Sequence, residues 1–396
     1  MRSAVIVGAG IGGLAAAIAL RRTGWDVRVV EQASSPRELG FALALAPNAL
    51  AALGELGLRD DVVGRGVEVK AFEVRRPDGR VLKHVDFRGD ALQSIVLLRQ
   101  ALHGTLLATV GADALVLGHR VTGVTADAFA GDRPAVMLDD GSKIDGDVVI
   151  GADGVGSVVR QALHSAEAPP RPSGYSALRG VSYGVSDRLD AADCAIYLGD
   201  GVEIGFARAS ESAIYWYISL VDAFAGAGAG DTIDRCTQGL ESGAAAIMRA
   251  AKPEDMRPDR LFYRDPIEEW GRRRVTLLGD AAHPVLPHTA QGAALALEDA
   301  VALGLALRGG DVESGVRLYE RVRARRTAAV VRAGPRIAAM TTTQSPMRKA
   351  VRSALIRLTP ARALSVALSR HAKDPHGPLR RGTEGDSRGL SRIPDP

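Results

Sequence analysis

Gly8, Gly10 and Gly13 punctuate the run "SAVIVGAGIGGLAAAIAL", an apolar strand-like stretch followed at once by small helix-forming residues. In a β-α-β setting this spacing gives a tight turn at the first glycine, close backbone approach at the second and helix-on-strand packing at the third. The helix N-terminus then offers N–H groups and partial positive charge to a pyrophosphate. Glu31 ends the next strand, "WDVRVVEQ", where a carboxylate can accept from both hydroxyls of an adenosine ribose and repel a 2′-phosphate. FAD or NAD is therefore the expected ligand, and a glycine turn without a ligand is the less favoured alternative.

A second approach surface lies far along the chain in "GDAAHPVLPHTAQGAALALEDA", Gly279 to Ala300. It reads as a Gly-Asp turn, a proline-bearing loop and a helix starting near Gln291-Gly292. Asp280 can accept from ribityl or ribose hydroxyls. Backbone at Gly292 and Ala293 can aim a helix start at the pyrimidine edge of a flavin, which carries negative charge when reduced. FAD is about twice the length of its ADP half, so one extended FAD accounts for both segments. Tight helix-on-sheet packing through small residues is the plainer alternative. His283 and His288 bring no third ligand, so no metal site is expected; His288 instead reads as lining the substrate side of the ring, or as a plain loop histidine. Arg37 is a candidate for the flavin or an incoming nicotinamide.

These residues need a scaffold that leaves and returns. Buried-strand texture recurs at "GDVVIGADGVGSVVRQAL" and "RRRVTLLGDAAHP". Between them, from about residue 171 to 268, short strands meander around "GDG" and "ASES" as in an antiparallel sheet. "AFEVRRPDGRVLKHVDF" alternates about Pro77-Asp78-Gly79 as an intruding hairpin. The fold class is thus α/β: a Rossmann-like FAD-binding domain (1–70, 91–170 and 269–325) interleaved with an antiparallel-sheet substrate domain (71–90 and 171–268). C-terminal helices (326–372) and a Gly-, Pro- and charge-rich tail (373–396) complete it.

Bulk properties narrow the class. The 396 residues are 46% hydrophobic, and only Cys194 and Cys236 are cysteines, against a disulfide framework or zinc site. A cytoplasmic, soluble protein is expected, since no apolar run reaches bilayer length and the first strand starts close to Met1. The net charge of +4 does not signal nucleic acid, because thirteen Lys and Arg against three Asp and Glu concentrate in residues 311–371. Aromatics at 4% leave no stacking surface for bases. Those basic helices read as a solvated face, membrane contact being the less favoured option.

"GAGIGGLAAAIAL", "GADGVGSVVR" and "LLGDAAHPVLPHTAQGAALALEDA", in this order and spacing over residues 3–335, resemble the single-component FAD-dependent monooxygenases of the p-hydroxybenzoate and salicylate hydroxylase type. The resemblance implies that Gly8, Gly10, Gly13 and Glu31 hold the ADP half, and that Arg99 contacts the cofactor from the side. It implies that Asp153 of the Asp-Gly box serves FAD and NAD(P)H binding, that Asp280 holds the ribityl or pyrophosphate side, and that Pro287 and Gly292 border the flavin. Read alone, Asp153-Gly154 is also a good turn pair, with Ser157 a local cap. Where the family commonly shows Gly-Gln-Gly and a following Asn, this chain has Ala290-Gln291-Gly292 and then Ala294.

The resemblance further implies transient visits by NAD(P)H, O2 addition to the reduced flavin to give a C4a-hydroperoxide, and hydroxylation of an aromatic or polyketide-like small molecule. Epoxidation of an alkene, or dehydrogenation without oxygen insertion, are the alternatives. A nucleotide-dependent interaction protein is the non-enzyme alternative. No CxxC, no Tyr-xxx-Lys and no W-x-W-x-I-P occurs, against disulfide reductases, short-chain dehydrogenases and flavin halogenases. Arg179, Phe206, Tyr215 and Tyr217 are the further substrate-side candidates, with strand register deciding which face inward.

Overall fold

A computed structural model describes residues 1–35, 41–87, 93–125, 133–189, 192–222 and 228–360. Continuous Val/Ile/Leu runs form a five-stranded parallel sheet from β1 (Ser3–Val7), β2 (Asp26–Glu31), β8 (Leu115–Leu117), β12 (Val148–Gly151) and β18 (Val275–Leu277), ordered β18-β12-β1-β2-β8. Such runs are what a sheet buried on both faces requires. Glycine-rich α1 (Ile11–Arg21) crosses from β1 to β2 and packs against α8 (Gly292–Ala306). A Cβ at Gly304 would sit 2.9 Å from Ala19 Cβ, so small residues set how closely these helices approach. Most of α8 therefore packs through small residues, but against helices rather than against a sheet as the plainer reading had it. Its first turn differs, because Gly292 and Ala293 are only half-buried.

The second layer is a seven-stranded sheet. It joins β5 (Ala71–Arg75), β6 (Val81–Asp86), β13 (Arg171–Tyr183), β14 (Cys194–Leu198), β15 (Val202–Arg208), β16 (Ala213–Val221) and β17 (Met256–Tyr263) in the order β17-β13-β16-β15-β14-β5-β6. All neighbours are antiparallel except β5 and β14, which run parallel because a long excursion through the first layer separates them. One face is covered by α6 (Ala229–Thr237) and α7 (Ser242–Arg249), whose Ile233, Ile247 and Met248 pack with Ile204, Phe206, Trp216 and Ile218. Trp216 is wholly buried over Gly180, and its indole N–H donates to Ser182 Oγ at 2.9 Å. Full burial of a large apolar side chain contributes about 1.5–3 kcal/mol.

Smaller elements connect the layers. β3 (Ala42–Leu45), β4 (Val67–Glu68) and β7 (Ile95–Leu98) form a three-stranded sheet, and β9 (Val121–Thr125), β10 (Ala135–Leu138) and β11 (Lys143–Asp145) another. The shorter helices are α2 (Pro47–Glu55), α3 (Arg59–Val63), α4 (Arg99–Val110) and α5 (Val158–Leu163). At the C-terminal end stand α9 (Val312–Thr341) and α10 (Pro346–Leu358). α9 is one 30-residue helix running through the 325/326 boundary expected from sequence, with Pro335 inside it. Its Gly334 passes Leu286 closely, so α9 braces the loop before α8. The basic helices are not merely a solvated face: Arg323 and Arg352 are buried, drawn in by acidic or carbonyl partners. Arg37 and the tail from Asp374 lie outside the described residues.

Candidate active site

At the end of β1, Gly8 adopts φ +101°, and a Cβ there would press on Ala152 O at 2.6 Å. A Cβ at Gly13 would lie 2.0 Å from Gly8 O, so only glycine lets α1 start this close to the turn. Above Gly10 there is open space, and α1 has no side-chain cap. Its first N–H groups are left to a ligand or water. Glu31 fixes two backbone sites at once: Oε2 accepts from Ala9 N–H and Oε1 from Ala33 N–H, both at 2.9 Å. Buried His103 of α4 meets Ala9 O at 2.8 Å, a support that the sequence reading did not single out.

The later segment is held from behind by ions. Asp299 Oδ2 accepts from Gly279 N–H at 3.0 Å and pairs with His283 Nε2 at 2.5 Å, while Oδ1 takes Arg323 Nε at 2.6 Å. Burial pushes the Asp299 carboxyl up, but the charges of His283 and Arg323 outweigh it and bring it down to about 2. Next to it Glu298 accepts from Arg326 and from Asn48, and Asn48 also donates to Gln291 Oε1 at 3.0 Å. Ala290, at φ +50°, is one of two described non-glycine residues in the left-handed region. It turns the chain so that α8 starts at Gly292 without a side-chain cap. His283 is therefore a structural hydrogen-bond partner of Asp299, and among the described residues no group of three or more His, Cys, Asp or Glu is placed to hold a metal.

Asp280, just past that turn, is exposed along its edge yet crowded by protein. Desolvation raises its carboxyl above the usual aspartate range, opposed by the charges of His283, Arg99 and Arg179. These residues come from three distant parts of the sequence. Arg99 begins α4, its backbone N–H donating to Phe41 O. Arg179 lies on β13, paired in register with Tyr217 of β16.

The face of the large sheet turned toward this loop carries Tyr175, Ala177 and Arg179 on β13, Tyr215, Tyr217 and Ser219 on β16, and Glu203 and Gly205 on β15. His288, in the tight turn Pro287–Thr289, meets Ser219 Oγ through Nε2 at 2.8 Å and packs edge-on to Tyr175, ring centroids 5.6 Å apart. Burial lowers the His288 pKa, so the ring is neutral near pH 7. Tyr217 donates its phenol proton to Glu203 Oε1 at 2.6 Å, its ring lying over Gly205. Phe206 does not join them. Alternation along β15 sends it to the opposite face, edge-on to Tyr197 in the helix-covered core.

The Asp-Gly segment is built as a cap. Asp153 accepts from Ser157 Oγ at 2.5 Å and from Val158 and Val159 N–H, and Ser157 Oγ in turn accepts from Arg160 N–H. Burial still pushes the Asp153 carboxyl up. Arg160, fully buried, donates to Ala281 O and Ala282 O and forks onto Glu167, tying this segment to the Asp280 turn. The sequence reading missed Arg160, though a lone charge in the apolar "SVVRQAL" was the signal.

The arrangement fits an extended dinucleotide: uncapped helix starts at both ends, Glu31 at the end of β2 and Asp280 between them. The family profile described as "FAD binding domain" matches residues 1–334, and the chain belongs to this family. It is 32% identical over 366 residues to the aurachin C monooxygenase/isomerase of Stigmatella aurantiaca, covering 89% of this chain and 93% of that relative. It is 34% identical over 350 residues to the 3-amino-4-hydroxybenzoate 2-monooxygenase of Streptomyces cremeus, covering 84% and 86%. The crystal structure of Klebsiella pneumoniae HpxO with FAD and uric acid superposes with a TM-score of 0.85 at 25% identity, covering 94% of this chain and 96% of that one. The protein is an FAD-dependent monooxygenase. Among the described residues, no helix is long and apolar enough to cross a membrane.

Proposed function

We propose that the protein uses NAD(P)H and O2 to hydroxylate an aromatic or polyketide-like small molecule held between the Asp280–Ala293 segment and the large sheet. The observation that carries this reading is the His288–Ser219 link together with the shared field of Asp280, Arg99 and Arg179. It brings the loop before α8 over the polar face of the sheet. Gly8, Gly10, Gly13 and Glu31 would hold the ADP half of FAD, Asp280 its ribityl or pyrophosphate side, and Pro287, Gly292 and Ala293 the flavin edge. Arg99 would approach from the side. FAD bound there and reduced by the nicotinamide would supply the two electrons that activate O2, one atom of which goes to the ring and the other to water.

The chain's own residues do the rest. The uncapped start of α8 stabilises negative charge at the pyrimidine edge. Neutral His288 and the Tyr217–Glu203 pair orient the ring to be attacked, and Tyr175 and Tyr215 restrict water. Asp153, engaged as a cap, positions α5 and through Arg160 the Asp280 turn. The test is direct. Purified protein should be yellow, and an accepted ring should stimulate NAD(P)H oxidation with stoichiometric O2 uptake and a product heavier by one oxygen atom. Stimulated oxidation without product, over a panel of phenols and heteroaromatics, would refute hydroxylation.

A further inference from the structure

Beside Arg179, the face of the large sheet turned toward the Asp280 loop carries a run of acceptors. Glu203 is 3% exposed, and among the described residues its carboxyl has one hydrogen bond, from Tyr217, and no ion-pair partner. Tyr217, having given its proton to Glu203, has only oxygen lone pairs left to offer. Ser219 lies directly across from Glu203 in register and is engaged by His288, which is neutral. Of the cations nearby, Arg179 Nε lies 3.6 Å from Asp259, and Arg352, which senses Glu203, donates to Met340 O and Thr341 O while its Nε is buried without a partner. Apolar clusters flank this polar strip: Tyr215 with Ala42, Val96 and Leu98 on one side, Tyr175 and Ala177 with Leu286 and Ala338 on the other.

We propose that Glu203 makes the site select uncharged aromatic or heteroaromatic rings bearing an N–H or O–H donor, and reject aryl carboxylates. The inference rests on the substrate chamber assigned above and deepens it. An N–H or O–H on the ring finds the free Glu203 oxygen and the Tyr217 oxygen waiting. A ring carboxylate in the same place meets lone pairs and a like charge in a desolvated setting. The Streptomyces cremeus relative is named for a benzoate; the inference sets this chain apart from it.

The experiment uses the FAD-loaded protein and rings in matched pairs: 4-hydroxyquinoline with its 2-carboxylate, and 3-hydroxybenzamide with 3-hydroxybenzoate. Binding is read from the change in visible flavin absorbance, and separately from stimulated NAD(P)H oxidation. The neutral member should bind at least about ten-fold tighter, the scale of repulsion between carboxylates a few ångströms apart in a partly desolvated site. Glu203→Gln should narrow that ratio to within about three-fold by improving carboxylate binding, whereas Tyr217→Phe, which frees the second carboxylate oxygen, should widen it. A carboxylate that binds as tightly as its neutral partner overturns the inference, as does a ratio that neither variant moves. If rings perturb the flavin but no oxygen is consumed, the hydroxylase reading fails while the binding ratio still decides this one.

Discussion

Replacing Asp299 by Asn keeps the size of the side chain and removes only the charge at the centre of the ion cluster behind the Asp280 turn. The structure sets the magnitude. With the carboxyl held at about 2 against an ordinary 3.8, the folded state favours its ionised form by about 2–3 kcal/mol. Leaving a buried cation wholly unpaired costs about 3–5 kcal/mol. Arg323 retains Glu298 at 2.7 Å, so the loss should stay near the lower figure, about 2–3 kcal/mol. Urea unfolding followed by circular dichroism at pH 7 measures it. Because the folded-state pKa is depressed, the contribution is complete above the unfolded pKa of about 4 and vanishes as pH falls through about 2. The gap between wild type and variant should therefore be flat around neutrality and close in acid. Flavin affinity should fall about ten-fold, since the Gly279 N–H loses a charged acceptor. Combining Asp299→Asn with Arg323→Met should cost at least about 1 kcal/mol less than the sum of the single changes. A loss below about 0.5 kcal/mol, or simple additivity of the pair, would refute the argument that these charges act as one unit.

Gly13→Val should yield protein with little or no bound flavin, because its Cβ would collide with Gly8 O; the ratio of visible to ultraviolet absorbance reports it. Arg160→Met should destabilise by about 3–5 kcal/mol, stranding Glu167 beside Arg264 alone and two carbonyls without donors; thermal unfolding measures it. His288→Gln should remove an acid-side stability loss. Its lowered pKa means that the wild type is destabilised as pH falls below the ordinary histidine value toward the folded one, and the variant should be flatter over that window in a pH series of melts.

Much of the scaffold was legible because the signals were local. "VGAGIGG" and "LLGDAAHP" each couple a buried strand to a turn in which neighbours along the chain decide the geometry. The return of the chain to its first layer was legible for the same reason, since buried-strand texture resumes at Val275. What escaped depends on partners far away. Arg160, Arg323 and Asn48 sit in helices whose roles appear only when carbonyls or acids from other segments arrive. Phe206 and Tyr217 differ by register alone, and sequence carries no marker of which face a strand in the middle of a sheet presents. Glu203 interrupts the apolar alternation of "GVEIGFA", a signal whose meaning required Tyr217 to lie across Gly205. The Glu298-Asp299 pair in an otherwise apolar helix was likewise visible and uninterpreted until α9 supplied its arginines.

The hairpin of β5 and β6 ends at Asp86, yet the strand it joins, β14, begins at Cys194. On the ribosome, the hairpin's hydrogen-bonding edge must stay open while more than a hundred further residues are made, and unpaired edges of this kind invite self-association. The topology therefore favours slow synthesis or chaperone cover during production. It also means that excising either layer as a separate fragment would sever the other.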